Sequence, residues 1–356
     1  MKRSLLATAA LTAFAGVASA QSSVTIGGIV DLAARSVKNP GGELKTLSPE
    51  GMQSNRLIFR GSEDMGGGMR ASFWLEAAIA PDTGGGASGG APGASGGGLT
   101  WQRRSTVSVS GGWGELRLGR DYTPTFWTHT LFDPFNTVGV ASQTNLMVAG
   151  NMSTQAYSLA TTLVRANNTI GYFLPGGLGG VYGQFQVAAG EGTPGNKSKG
   201  GRIGYAAGPV NVAVAYGITD KTGAMVDDLK GFNVGASYRI GPVNLIGQYH
   251  TYKYSVNKQR NIVGGGTMAL GASTLKLTYG MVKVDTPVAA NRREAKQLGL
   301  GYQYDLSKRT ALYSNFSRVD NERGSQFTAS GSGVAPTAAQ TGFKSTGYEF
   351  GVRHSF

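Results

Sequence analysis

The sequence predicts an all-β fold, a 16-stranded antiparallel transmembrane β-barrel. Three observations carry that prediction. Apolar and polar residues alternate with period two through sixteen segments, and helical spacing is sustained nowhere after the first twenty residues. Short and long connections alternate along the chain, as a meander of hairpins requires when successive turns fall at opposite rims. No later apolar run is long enough to cross a bilayer as a helix, so any membrane-spanning segment has to be a strand.

Composition narrows the class. The chain has 356 residues, of which 57 are Gly and none is Cys, and 15% are charged. Glycine is well above, and charge well below, the usual share in a globular protein. Collagen would need glycine at every third position and a disordered chain would be poor in aromatics, whereas 14 Phe, 15 Tyr and 4 Trp are spread along this one. The lack of Cys excludes a disulfide scaffold, a thiolate zinc site and a cysteine nucleophile. A formal charge of +13 points to an anionic partner.

The first element is a leader. Met1-Lys2-Arg3 is basic, 5–17 is a short apolar run rich in Ala and Leu, and Ala18-Ser19-Ala20 has the small-x-small pattern of signal-peptidase cleavage. Residues 1–20 read as a signal peptide, and the mature chain, 21–356, begins at Gln21 as one barrel domain. An exported chain that stays basic after losing Lys2 and Arg3 is not expected to take nucleic acid as its partner.

The strands follow. Val210, Val212, Val214 and Tyr216 share one face, and Phe232, Val234, Ala236, Tyr238 and Ile240 alternate with Asn233, Gly235, Ser237 and Arg239. Leu275, Leu277, Tyr279 and Met281, then Leu298, Leu300, Tyr302 and Tyr304, repeat the pattern. In order, the strands are expected near 23–36, 54–62, 67–80, 101–110, 113–120, 165–173, 180–190, 200–207, 209–219, 230–240, 242–255, 259–270, 272–285, 293–305, 309–320 and 344–356. The links 63–66, 111–112, 174–179, 208, 241, 271 and 306–308 are short. Those at the other rim, 37–53, 81–100, 121–164, 191–199 and 321–343, are long, with 256–258 the exception. The polar face carries Arg, Lys, Gln, Asn and many glycines, and the apolar face carries aromatics near strand ends. The inside is therefore wet and the outside oily, the reverse of a soluble barrel. Sixteen strands enclose a lumen too wide for side chains to close, so an aqueous channel is expected.

Four segments together resemble the general diffusion porins of beta-proteobacteria, in particular their anion-selective members. They are Ser23-Val24-Thr25-Ile26-Gly27-Gly28-Ile29-Val30-Asp31; Ser54-Asn55-Arg56-Leu57-Ile58-Phe59-Arg60-Gly61-Ser62-Glu63-Asp64-Met65-Gly66-Gly67-Gly68; Trp113-Gly114-Glu115-Leu116-Arg117-Leu118-Gly119-Arg120-Asp121; and Tyr348-Glu349-Phe350-Gly351-Val352-Arg353-His354-Ser355-Phe356. The resemblance spans the mature chain. It implies a homotrimer in the outer membrane of a Gram-negative bacterium, surrounded by outer-membrane lipid. It also implies a long third extracellular loop folded into the lumen as a constriction, and insertion by the barrel-assembly machinery that reads the last strand, with Phe356 as the signal. The stretch 121–164 fits that loop: it is the longest link and keeps Phe126, Trp127, Leu131, Phe132 and Phe135, for which a freely solvated loop has little use. The stretch 84–98, nearly all Gly, Ala and Ser, reads as a flexible exposed excursion.

The sign of any ion preference rests on the wall. Asp133 is the only acid between 121 and 165, and that stretch has no Lys or Arg before Arg165. Leu57 and Phe59 facing outward put Arg56 and Arg60 in the lumen, and Ile170 and Tyr172 outward put Arg165 and Asn167 there. Val107 and Val109 outward select Arg104 over Arg103, although a bulge near the loop would exchange them. The resemblance implies an arginine cluster at Arg56, Arg103 and Arg165, so both 103 and 104 stay in the candidate constriction with Arg56, Arg60, Arg165 and Asp133. The expected permeants are small hydrophilic solutes and inorganic anions, with no cofactor.

Two other classes compete. An outer-membrane hydrolase would need a nucleophile or acid pair, yet His129, His250 and His354 sit in no Gly-x-Ser-x-Gly or His-Glu-x-x-His context. A substrate-specific channel would share the barrel and add aromatic stacking or further arginines in one ladder; Tyr122, Phe126 and Trp127 could supply the stacking.

Overall fold

The computed structural model describes residues 22–86, 98–147, 162–192, 195–220, 227–289, 292–331 and 333–356. The leader with its cleavage site, most of 84–98, and 148–161 of the long loop lie outside the described residues.

In chain order the strands are β1 (Ser23–Asn39), β2 (Gly42–Pro49), β3 (Arg56–Gly66), β4 (Met69–Ala77), β5 (Ile79–Ala80), β6 (Gly85–Gly86), β7 (Arg104–Gly111), β8 (Gly114–Tyr122), β9 (Arg165–Phe173) and β10 (Val181–Ala188). They continue with β11 (Ser198–Ala207), β12 (Val210–Thr219), β13 (Leu229–Ile240), β14 (Val243–Tyr254), β15 (Asn257–Leu270), β16 (Ser273–Asp285), β17 (Arg293–Asp305), β18 (Thr310–Glu322) and β19 (Lys344–Ser355). Sixteen of these form one closed antiparallel barrel, in which β1 pairs with β3 through residues 23–29 and with β19 through residues 29–38. They are the sixteen strands expected from the alternation. Two features were not expected. The link 37–53 folds as β2, which extends the upper part of β1 as a hairpin, and β5 and β6 form a two-residue ladder.

Turn chemistry sets the register at the short rim. Gly208, Gly241 and Gly271 each open a two-residue connection with φ of +54°, +54° and +61°. A positive φ at the first central position matches the twist of the flanking strands and suits glycine. Outside, Val24, Ile26, Ile203 and Leu277 are exposed, while the alternate residues Thr106, Gln184, Asn233 and Thr278 are buried inside. Such an exterior is stable when hydrocarbon rather than water surrounds it.

The lumen is crossed by the segment after β8. Thr123 caps a helix, Pro124–Leu131, by accepting from Phe126 N at 3.4 Å, and Pro124 stands at its first position. A second short helix spans Thr144–Met147. Neither is long enough to sustain a helical spacing in the sequence. The loop docks on glycines that face inward. A methyl at Gly235 would run into the Phe132 ring, one at Gly301 would meet Phe135 at 2.7 Å, and one at Gly347 would meet Val140 at 3.0 Å. Inward amides then hold the loop's carbonyls: Asn233 Nδ2 donates to Thr125 O at 2.7 Å, Gln297 Nε2 to Ser142 O at 2.9 Å, and Asn261 Nδ2 to Leu146 O at 2.9 Å. Each bond contributes about 1 kcal/mol net, and leaving either partner buried and unpaired would cost more. The many glycines and amides of the polar face are thus a docking track as well as a wet wall.

Candidate functional site

The loop helix packs on β10 to β13, and the rest of the described loop reaches β15, β16, β17 and β19, so the passage left open runs along β3, β4, β7, β8 and β9. That wall carries arginines. Arg56 opens β3, Arg103 directly precedes β7 and Arg165 opens β9, all at the long-loop end of their strands.

Two groups hold them apart. Glu76, one residue from the end of β4, takes Arg103 Nε at 2.6 Å and Arg56 Nη1 at 3.3 Å on the same carboxylate oxygen. The Tyr122 hydroxyl accepts from Arg165 Nη2 at 2.8 Å and Arg103 Nη2 at 3.4 Å, and the Arg165 guanidinium lies 4.3 Å from the Tyr122 ring centre. Among the described residues, Arg165 has no carboxylate partner. A recess of about 200 Å³ opens beside them, lined by Arg103, Arg120, Arg165, Tyr122 and Glu50, with Phe126 and Thr137 of the loop opposite. Counting Arg56 and Glu76 behind it, four guanidiniums face two carboxylates, which leaves two positive charges in excess.

The expected residues fall into three groups. Arg56, Arg103 and Arg165 come together. Both 103 and 104 face the lumen, because Arg103 lies before the ladder, where its N–H reaches Glu76 O at 3.1 Å and the period of β7 does not bind it. Arg104 and Arg60 point lower, both over one indole: their guanidinium carbons lie 4.6 and 5.3 Å from the Trp74 ring centre. They line a different recess from Arg103 and Arg165. Asp133 needs correcting. Its carboxylate accepts from Phe135 N at 2.9 Å, Thr137 N at 3.1 Å and Ser142 Oγ at 3.2 Å, so it folds the loop instead of lining the opening.

Sequence reasoning missed Glu76, Glu50 and Arg120. Glu76 was within reach, since Phe73 and Leu75 outward put it inward by period two. Arg120 was not: the ladder shifts between Gly119 and Asp121, and Gly119 has φ +122°. Glu50 sits in a connection at φ +65°, where no period applies. His129, on the loop helix, contacts Gln248 Oε1 through Nδ1 at 3.2 Å and meets the His250 ring edge-on at 5.0 Å, with no nucleophile in the contact.

Burial pushes the Glu50 carboxyl above the usual range, while Arg103 and Arg56 pull it down less strongly. Glu50 therefore protonates earlier than an ordinary carboxyl as pH falls. Losing that negative charge makes the recess more positive, so chloride preference is expected to rise as pH falls, and E50Q to remove that rise, read as zero-current potential against pH.

Residues 7–324 match the family of Gram-negative porins. The chain belongs to that family. This porin is 35% identical to outer membrane porin protein 32 of Delftia acidovorans, over 100% of both chains. Its structure is similar to that of the anion-selective porin from Comamonas acidovorans, with a TM-score of 0.81 and 34% identity over 94% of this chain and 100% of the other. It shares the fold, at 13% identity and a TM-score of 0.67, with the trimer form of OmpT from Vibrio cholerae, covering 94% of this chain and 99% of that one. The porin is thus a closed 16-stranded barrel of the Gram-negative outer membrane, a channel by family.

Proposed function

We propose that this porin is a general diffusion channel that passes small hydrophilic solutes and prefers inorganic anions over cations. The observation that carries the reading is the positive excess beside the loop, with Arg165 unpaired by any described carboxylate. The full-length relative described as anion-selective supports the same sign. The folded loop limits size, and the guanidiniums raise the local concentration of anions without a saturable step. No cofactor or catalytic residue takes part.

Assembly completes the reading: cleavage before Gln21, a homotrimer in outer-membrane lipid, and insertion by the barrel-assembly machinery through the last strand. Phe356 closes the ring, exchanging backbone hydrogen bonds with Gly28 at 3.0 and 3.1 Å and laying its ring where Gly28 has no side chain. With Phe356 48% exposed, F356A is expected to remove roughly 1 kcal/mol of stability and to lower the yield of folded barrel in cells more than in detergent refolding. Equal loss in both settings would leave Phe356 a packing residue only.

Liposome swelling tests the transport reading. Rates should rise in proportion to solute concentration and favour anionic over cationic solutes of equal size. Saturation with a neutral sugar would instead favour a substrate-specific channel.

A further inference from the structure

Residues 50–55 join β2 to β3 and belong to neither strand. The link carries three parts of the opening. Glu50 lines the recess, Ser54 O accepts from Arg56 Nε at 2.9 Å, and Met52 O accepts from Asn136 Nδ2 of the long loop at 3.1 Å. Link and loop also meet directly, since a methyl on Gly139 would run into Gly51 O and the Glu349 carboxylate. A segment without ladder bonds needs something else to hold it in one place.

A carboxylate buried beneath the link does so. Asp31, on β1, is fully buried and does not line the recess. Its Oδ2 accepts from Met52 N at 2.8 Å and Gln53 N at 2.6 Å, and its Oδ1 accepts from Gly51 N at 3.3 Å and from the Tyr313 hydroxyl of β18. Three successive amides closing on one anion form a nest. They offset the burial of a charge that has no ion pair among the described residues. The main chain of Asp31 grips both ends of the link. Asp31 O accepts from Glu50 N at 3.1 Å and from Asn55 Nδ2 at 3.0 Å, and Asp31 N donates to Asn55 Oδ1. Asn55 N in turn donates to Glu50 Oε1 at 3.1 Å and so aims that carboxylate.

We propose that Asp31 is a positioning residue for ion selection: without facing the permeating ion, it fixes the link that sets Glu50 against the arginines, and the response of ion preference to pH depends on it. The inference rests on the reading of an anion-preferring channel and adds a residue to it. Asparagine at this position would offer one acceptor oxygen to four donors and turn an amide N–H₂ toward the others. The nest would open, Glu50 would move into water, and its titration would be felt less in the passage, because the Coulomb energy falls with distance and with dielectric.

The test is the zero-current potential of the refolded full chain in a KCl gradient, followed against pH in the wild type, E50Q, D31N, D31N/E50Q and Y313F. D31N should lose most of the acid-side rise in chloride preference that E50Q removes, and D31N/E50Q should match E50Q. Y313F takes one donor from Asp31 and leaves the three amides, so it should lower thermal stability and keep the rise. An unchanged rise in D31N, a rise that survives E50Q and disappears in D31N, or an equal loss in Y313F would overturn the proposal. If D31N yields no folded barrel, Q53P decides: it removes one amide donor and leaves Asp31 in place. The rise should shrink in Q53P, and an unchanged rise would refute the proposal. A wild-type chain that prefers potassium would refute the anion reading and leave this comparison intact, which concerns the change with pH whatever the sign.

Discussion

Changing Arg56, Arg103 and Arg165 together to Gln is expected to abolish chloride preference and to leave a weak preference for potassium. The recess then sets Arg120 alone against Glu50 and Glu76, one net negative charge where the wild type has two net positive. A guanidinium roughly 7 Å from a permeating ion is worth about 0.6 kcal/mol at bulk dielectric and about 2.4 at an effective value of ~20, a few-fold to tens-fold each. The single variants should not be equal. Among the described residues Arg165 has no carboxylate partner, so R165Q removes uncompensated charge, whereas R103Q removes one charge and also leaves Glu76 with Arg56, at 3.3 Å, as its remaining ion-pair partner. R103Q should therefore cost at least as much selectivity as R165Q, measured as permeability ratio in a KCl gradient. A triple variant that keeps its chloride preference would move the selectivity determinant off this wall.

The second large effect concerns the loop. Gly235→Val places a branched side chain where the Phe132 ring now lies, with the Asn233 bond to Thr125 O two residues away on the same strand. The helix Pro124–Leu131 should then leave the wall. Single-channel conductance is expected to change severalfold and selectivity to fall, because the arginines lose the opposite side of the opening. F132A, which removes the ring and keeps the glycine, should perturb less and serves as the control for folding. Unchanged conductance in Gly235→Val, with folded barrel on a gel, would show that the loop is not the narrowest point.

How much of this was legible in the sequence depends on how regular the backbone is. Within strands every second residue faces the bilayer, so β13 or β17 could be placed from Phe232 to Ile240 or Leu298 to Tyr304 alone. The two-residue turns at Gly208 and Gly241 announced themselves because few other residues accept their φ. At the edges that logic fails. Arg103 lies before its ladder, β8 shifts register at Gly119, and Asn168 in β9 has φ +54°, so parity could choose neither between 103 and 104 nor the direction of Arg120. The loop helix escaped notice because it is only eight residues long and its neighbours lie on several sides, Tyr122 against Phe126 and Trp127, Gln248 against His129. Its buried residues are Pro124, Thr128 and His129, so it shows no apolar stripe. Asp133 looked like a pore charge because the sequence gives no hint that three donors of its own loop converge on it.

The measurement that bears most directly on the whole account is the zero-current potential of the wild-type chain across a planar bilayer separating two concentrations of KCl. A potential of the sign set by chloride, moving toward zero as Arg165, then Arg103, then Arg56 are replaced, is the predicted result. A potential of the sign set by potassium in the wild type would contradict it.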